Sequence, residues 1–308
     1  MNQNKDIKSI KGDMHGKTCL VTGANSGLGK AVSIELARRG ASIIMACRKE
    51  YIEARDEIRK QAHADKVSLR LLDLADLASV NRFCDGLRDD GIQLDVIHLN
   101  AGMAAVSQEM SIDGFPLFWQ VNYFSNTLLI KRMLADGVIP VVNSSGLEIN
   151  QVVVPRIIFT SSSRHRGSLS INFSNFAVFP AFSIKDTFKY YGLSKLYLMT
   201  YAWQLGRRLQ ENGLPRVSVF AFCPGAFRSH IGEDLGFVGN LVMSTRPTGP
   251  VEASWPALYL ACSEDLKGKT LLYYHKHELE LPDARVFDSE IGNRLWQETE
   301  LLLENTSA

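Results

Sequence analysis

The sequence carries almost no excess charge: 34 Lys and Arg residues against 33 Asp and Glu leave a formal net charge of +1. A near-neutral balance argues against a nucleic-acid binder or a strongly basic membrane-surface protein, so no nucleic-acid partner is expected. Cysteine is scarce and scattered. Cys19, Cys47, Cys84, Cys223 and Cys262 form no Cys-x-x-Cys pair, and no His pair stands at ligand spacing. An odd, unclustered set of thiols points to a reducing, cytoplasmic setting and away from a disulfide frame or a zinc site. No uncharged apolar run is long enough to span a bilayer, and no transmembrane segment is expected. Residues 1–17 are polar and lack an apolar h-region, so neither a signal peptide nor an anchor is expected there. Repeats, low-complexity tracts and linkers are missing too. That favours one domain over residues 17–308, preceded by a polar extension at 1–16.

What the chain does contain is an alternation of short apolar runs with longer helix-like stretches. Its 45% hydrophobic and 22% charged residues suffice for an ordinary soluble core. Residues 18–21, 42–46, 67–72, 94–99, 157–160, 217–222 and 271–274 read as strands. Residues 28–39, 50–61, 77–87, 193–209 and 294–303 read as helices, with Gly40 as the stop of the first. This rhythm predicts an α/β fold of Rossmann type: a doubly wound parallel sheet of about seven strands with helices on both faces. Two stretches break it, at residues 135–154 and 167–189, and loops of that length are usually functional or disordered.

The segment Thr22-Gly23-Ala24-Asn25-Ser26-Gly27-Leu28-Gly29 lies between the first strand and the first helix. Glycines there let the backbone turn tightly and approach a pyrophosphate, and the helix N-terminus offers unpaired N–H groups. A glycine-rich turn alone is a weak signal that a purely structural turn also explains. Its place between strand and helix favours a dinucleotide site. An NAD site wants a carboxylate about 20 residues further on, to bond the ribose 2′-hydroxyl. Cys47 stands near that position and Arg48 follows it. A guanidinium suits a 2′-phosphate, so NADP(H) is expected in preference to NAD(H), with Lys30 adding positive charge.

In Tyr191-Gly192-Leu193-Ser194-Lys195 the tyrosine and lysine stand four residues apart, on one face of a helix. A free phenol, with a pKa near ~10, is too weakly acidic to act as a base at neutral pH, and a nearby ammonium stabilises its anion. Tyr191 can then take a proton from an alcohol or give one to a carbonyl oxygen. Taken alone, a Tyr-x-x-x-Lys pair also arises by chance on surface helices.

With these residues in view, the chain resembles the short-chain dehydrogenase/reductases from Lys17 to about Leu303. The turn at Thr22 to Gly29 is similar to that family's cofactor motif. Asp73, with Leu74 after it, matches the acid that meets the adenine. Asn100-Ala101-Gly102 matches an Asn-Ala-Gly motif, with Leu99 in place of a common asparagine. Asn122 matches the helix asparagine of the catalytic tetrad. Ser162 matches the catalytic serine, with Ser161 or Ser163 as the fallback. Pro224-Gly225, followed by Arg228 and Ser229, matches the motif that supports the nicotinamide.

Within the family, the phrase Met45-Ala46-Cys47-Arg48, Arg156 with His165 after it, and Arg294-Leu295-Trp296 resemble retinol-dehydrogenase-like members. Those often carry a membrane anchor, and the stretch at 135–154 departs from their pattern. The resemblance implies that Tyr191 is the general acid/base, that Ser162 bonds the substrate oxygen, and that Lys195 lowers the tyrosine pKa and holds the nicotinamide ribose. Asn122 then supports a proton-relaying water. It also implies a homodimer or homotetramer formed through the helices that carry Asn122 and Tyr191.

The expected reaction is NADP(H)-dependent interconversion of a carbonyl and an alcohol, in the reducing direction, on a small hydrophobic molecule. Two alternatives stay open at this point: a non-catalytic NADP(H)-binding sensor or scaffold, and a reductase of carbon–carbon double bonds. The apolar residues of 231–243 occupy the family's lid position and fit a lipophilic substrate. Phe173, Phe176, Phe179 and Phe182 recur every three residues, which suits loop packing and a pocket wall equally. His165, His230, His275 and His277 are expected to be surface or packing residues, and no metal is expected.

Overall fold

Strand β1 (Thr18–Thr22) is buried from Cys19 onward, as a strand covered on both faces must be. In the computed structural model, which describes residues 7–104, 108–143, 148, 153–179, 182–211, 214–225 and 248–306, it lies near the middle of the sheet. Around it run α1 (Gly27–Arg38), β2 (Ser42–Cys47), α2 (Ile52–Ala62), β3 (Val67–Leu71), α3 (Leu77–Asp89) and β4 (Val96–Leu99). A long helical segment follows, made of α4 (Leu117–Trp119), a π-helical turn (Gln120–Phe124) and α5 (Ser125–Ala135). Next come β5 (Arg156–Thr160), α6 (Thr187–Arg208), a two-stranded ribbon of β6 (Gln210–Glu211) and β7 (Leu214–Pro215), and β8 (Ser218–Cys223). The chain continues through α7 (Pro250–Ala253), α8 (Trp255–Cys262), β9 (Leu272–His275), β10 (Glu278–Glu280) and α9 (Ser289–Thr306).

The main sheet has the order β10-β9-β8-β5-β4-β1-β2-β3. All its pairings are parallel except β9–β10. Two apolar cores flank it. One holds Val32, Leu36, Ile58, Trp255 and Leu258 from α1, α2 and α8. The other holds Val80, Phe83, Leu129, Leu196 and Leu295 from α3, α5, α6 and α9. This is the doubly wound Rossmann-type fold that the alternation predicts, with eight strands in place of about seven. The additional strand, β10, is three residues long and its single apolar side chain, Leu279, is exposed, so no hydrophobic run marks it.

Other differences have equally physical reasons. The apolar pattern marks no helix over residues 117–135, because Gln120, Asn122, Ser125, Asn126 and Thr127 are buried among the apolar residues and blur the period. Helix α6 begins at Thr187, not at residue 193, so Tyr191 stands well inside it. The phenylalanines of the 167–189 stretch pack: Phe176 meets Trp119 edge-on, Phe179 and Phe182 meet Phe118, and Phe173 lies under the Arg294 guanidinium.

Strand order reverses between β4 and β1, whose sequence neighbours lie on opposite sides. In open α/β sheets the crevice at such a point, beyond the carboxyl ends of the strands, is where ligands bind.

Candidate active site

The two walls of that crevice are tied together by Thr22. Its Oγ1 accepts the backbone N–H of Asn100 and of Ala101, each at 2.9 Å, and Asn100 Nδ2 donates to Thr22 O at 2.9 Å. The glycines are needed for geometry. Gly23 and Gly27 hold φ values of +65° and +53°, where side chains are strained. A β-carbon on Gly29 would stand 2.5 Å from Gly23 O, so only glycine lets the helix sit on the turn. Nothing lies within 4 Å of the position a Gly27 β-carbon would take. Ser26 caps α1 in an extended conformation without spending its side chain on a capping bond. The first-turn N–H groups of α1, with Asn25, Ser26 and Leu28 around them, therefore face open space that suits a pyrophosphate.

Arg48 follows β2 and is exposed, and its side chain makes no hydrogen bond or ion pair to the described residues. Lys30 is committed elsewhere, paired with Glu57 at 2.8 Å, which removes it as spare charge for a phosphate. Asp73 follows β3 closely and accepts the Ala75 N–H on Oδ1 at 2.9 Å; Leu74 beside it is buried. These residues fit an adenine ribonucleotide laid across the ends of β2 and β3.

The catalytic candidates converge on the other side. Asn122 sits in the π-helical turn, a deviation that re-aims side chains and recurs at functional sites. Its Oδ1 accepts the Met103 N–H at 2.9 Å, and its Nδ2 donates to Met103 O at 2.9 Å and to Ser194 Oγ at 3.0 Å. Ser194 in turn donates to Tyr191 O at 2.8 Å. Gly102 lies over the same spot: a β-carbon there would stand 3.0 Å from Asn122 Oδ1 and 3.5 Å from Lys195 Nζ. Lys195 is buried and donates to Thr160 O at 3.0 Å, with its ammonium 5.7 Å from the centre of the Tyr191 ring.

Of the three serines after β5, Ser162 is the one whose hydroxyl bears on the Tyr191 phenol, pulling its pKa down, and its Oγ also accepts the Arg164 N–H at 3.3 Å. Ser161 is buried and its N–H is spent on Phe222 O at 2.7 Å, while Ser163 gives its N–H to Cys223 Sγ at 3.2 Å. Ser162 also opens a short 3-10 turn (Ser163–Gly167) fastened by His165, whose Nδ1 meets Ser162 O at 2.6 Å. Arg285 braces the same turn through His165 O at 2.9 Å and Ser168 O at 3.2 Å.

Burial pushes the Tyr191 phenol above its ordinary range, the nearby Cys223 adds to that, and Ser162 pulls the other way. Burial also pulls Lys195 down to about 8, against the charge at Cys223. The site thus favours a neutral phenol beside an ammonium that is easily discharged.

Pro224 and Gly225 follow β8, and Gly225, at φ +76°, packs against the Lys276 side chain. Arg228, Ser229, His230 and the apolar stretch 231–243 lie outside the described residues. Sequence reasoning missed four participants. Ser194 was visible in principle, three residues after Tyr191 and on its face. Arg285 and the pair Cys223–His275 are brought in by distant segments and leave no local signal. Among the described residues no group of three or more potential ligands can hold a metal ion.

Comparison with known proteins adds an independent line. A family model described as short chain dehydrogenase matches residues 17–163. Retinol dehydrogenase 13 of Homo sapiens is 31% identical over 310 residues, covering 95% of this chain and 86% of its own length. Among solved structures, an uncharacterized protein of Mycobacterium paratuberculosis superposes with a TM-score of 0.72 at 26% identity, over 97% of each chain. A short chain dehydrogenase of Shigella flexneri 2a, solved in complex with NADP, shares the fold with a TM-score of 0.62 at 19% identity, over 86% of this chain and 99% of its own.

Proposed function

This chain belongs to the short-chain dehydrogenase/reductase family, and from that premise we propose that it is an NADP(H)-dependent oxidoreductase that reduces the carbonyl of an apolar small molecule to an alcohol. The observation that carries the proposal is the convergence of Tyr191, Ser162, Lys195 and Asn122 at the carboxyl edge of the sheet, with the Lys195 ammonium 5.7 Å from the Tyr191 ring and Asn122 tied to Tyr191 O through Ser194. A protein that only bound the dinucleotide would not need that set.

Gly23, Asn25, Ser26, Gly27, Leu28 and Gly29 would hold the pyrophosphate through backbone N–H groups and the helix dipole. Arg48 would pair with the 2′-phosphate, and Asp73 and Leu74 would meet the adenine. Asn100, Ala101 and Gly102 would line the site, Tyr191 and Lys195 would hold the nicotinamide ribose, and Pro224 and Gly225 would support the ring. When bound, the dinucleotide supplies the hydride.

Ser162 donates a hydrogen bond to the substrate carbonyl and orients it. Tyr191, kept neutral by burial, gives its phenolic proton to the same oxygen as negative charge develops there. Lys195, one helical turn away, stabilises the phenolate left behind, and Asn122 holds the loop at Met103 beside a water route for the returning proton. The missing carboxylate at the end of β2, and an Arg48 side chain that no described residue engages, support NADP(H); the NADP bound by the Shigella flexneri dehydrogenase is consistent with that choice. The retinol in the human relative's name is a lipophilic alcohol, which supports an apolar substrate.

The test is NADPH oxidation by the purified chain across a panel of apolar aldehydes and ketones, with polar carbonyls as controls. Turnover confined to apolar carbonyls is expected. Turnover of none of them, with NADPH bound, would contradict the proposal.

A further inference from the structure

A second ionisable constellation lies directly behind the Tyr191–Ser162 pair, and the reaction above does not use it. Cys223 closes β8 and is buried. Its Sγ accepts the backbone N–H of Ser163 at 3.2 Å and of Gly225 at 3.4 Å, one from the loop of the candidate catalytic serine and one from the turn after Pro224. Facing it in register on β9 is His275, whose ring bears on the charge of the thiol. His275 Nδ1 meets Glu280 Oε1 at 3.2 Å, and Arg166 Nη2 donates to Glu280 Oε2 at 2.6 Å. The series runs sulfur, imidazole, carboxylate, guanidinium.

A sulfur that receives two backbone N–H bonds and faces an imidazole is arranged for a negative charge, and a carboxylate behind the imidazole favours its cationic form. We infer that Cys223 has passed its proton to His275, and that the resulting thiolate–imidazolium pair, backed by Glu280, keeps Tyr191 and Lys195 protonated and so favours carbonyl reduction over alcohol oxidation. The step is one proton transfer: the S–H bond breaks, an N–H bond forms on the ring, and net charge is unchanged. Cys223 is a positioning residue here, acting through the tyrosine and lysine.

The electrostatics run the same way. Burial pushes the Cys223 thiol up, but His275 and the N–H groups of Gly225 and Ser163 outweigh it and hold the thiol below its usual range. His275 is raised, chiefly by Cys223. Negative charge at Cys223 raises both Tyr191 and Lys195.

The other groups around the sulfur do not reverse this. Tyr273 on β9 is a buried phenol pushed further up by the same charge. Lys276 packs its chain on Gly225 and adds positive charge on the outer side. Arg166 is engaged by Glu280. The remaining thiols, Cys19, Cys47, Cys84 and Cys262, are all raised by burial, so Cys223 is the one thiol held below its usual range.

The bias rests on the oxidoreductase reading; the pair itself does not. Ultraviolet thiolate absorbance of the full chain, followed across pH without substrate, reads the pair. A step below the ordinary thiol value of about 8.5 is expected, lost in Cys223→Ser and moved upward in His275→Gln. In turnover, the rising limb of the alcohol-oxidation pH profile is expected about one pH unit lower in Cys223→Ser, the size for loss of one nearby charge. A packing role for Cys223 would lower kcat and leave the limb in place. No thiolate step in the wild type, or an unmoved limb, overturns the inference. If Cys223→Ser does not fold, His275→Gln carries the same comparison. A wild-type chain that turns over no carbonyl would contradict the proposed function, while the thiolate step would still decide the pair.

Discussion

Gly192 packs against the carbonyl of Arg164 so closely that a β-carbon at residue 192 would stand 2.5 Å from that oxygen. The contact seats α6 against the short turn after Ser162 and thereby sets the spacing of Ser162 and Tyr191. On an open helix, Gly→Ala adds about 1 kcal/mol of stability. Here the obstacle is backbone, which does not swing aside, so Gly192→Ala is expected to lower the melting temperature. It should also reduce kcat about ten- to a hundredfold, because it misplaces the proton donor. Thermal denaturation and steady-state kinetics of the variant check both effects. An equally stable and active variant would show that the contact does not set the site.

Lys195 supplies a pH dependence with a definite sign. Burial lowers it to about 8, and its proton leaves as pH rises through that value. Carbonyl reduction is therefore expected to fall above about pH 8, in a limb that Lys195→Met lacks. The same group affects stability. Unfolded lysine holds its proton to about pH 10.4, so between about 8 and that value the unfolded chain binds more protons. Wild-type stability relative to Lys195→Met should rise with pH across this window and be lowest, by comparison, below it. Denaturant melts at several pH values measure the difference.

In the proposed site, cofactor choice is expected to turn on Arg48. Charge-assisted bonds to a 2′-phosphate are worth about 1.5–3 kcal/mol, so Arg48→Asp is expected to weaken NADPH binding at least about tenfold. NADH, with a 2′-hydroxyl that a carboxylate can accept from, should bind the variant no worse than the wild type. Titration with both nucleotides reads the switch. Equal affinity of the wild type for the two would remove Arg48 from the site.

An expectation for the association state comes from α9. Its Trp296 stacks on Tyr201 of α6 with ring centres 5.2 Å apart. Thr299 Oγ1 bonds Tyr123 Oη at 2.6 Å, and Glu300 meets Lys131 of α5 at 2.5 Å. This helix covers faces of α5 and α6 that a second subunit would need. We therefore expect one chain per particle in solution, in place of the dimer or tetramer that the family resemblance implies. Light scattering after size exclusion decides it; a stable dimer would mean that another face is used.

How far the sequence reveals all this depends on where each signal resides. The glycine turn is legible because positive φ and close approach demand glycine at Gly23, Gly27 and Gly29, whatever surrounds them. Tyr191 and Lys195 are legible because helical spacing alone puts them on one face. The helix through Asn122 is hard to read, since its buried polar residues interrupt the apolar period. Arg285 and His275 are harder still. They lie about 120 and 50 residues from the groups they touch, and only the packing of β9 and the segment before α9 brings them in. The phenol's raised pKa was not legible at all, because burial is a property of the folded chain.

The central claim is that Tyr191 delivers the proton during NADPH-dependent carbonyl reduction. It is tested most directly by single-turnover oxidation of bound NADPH in wild type and Tyr191→Phe, with nucleotide affinity measured on the same samples. Retained NADPH binding is expected, with a rate lower by about two to four orders of magnitude, the usual contribution of a positioned acid. A Tyr191→Phe protein that binds NADPH and turns over at the wild-type rate would contradict it.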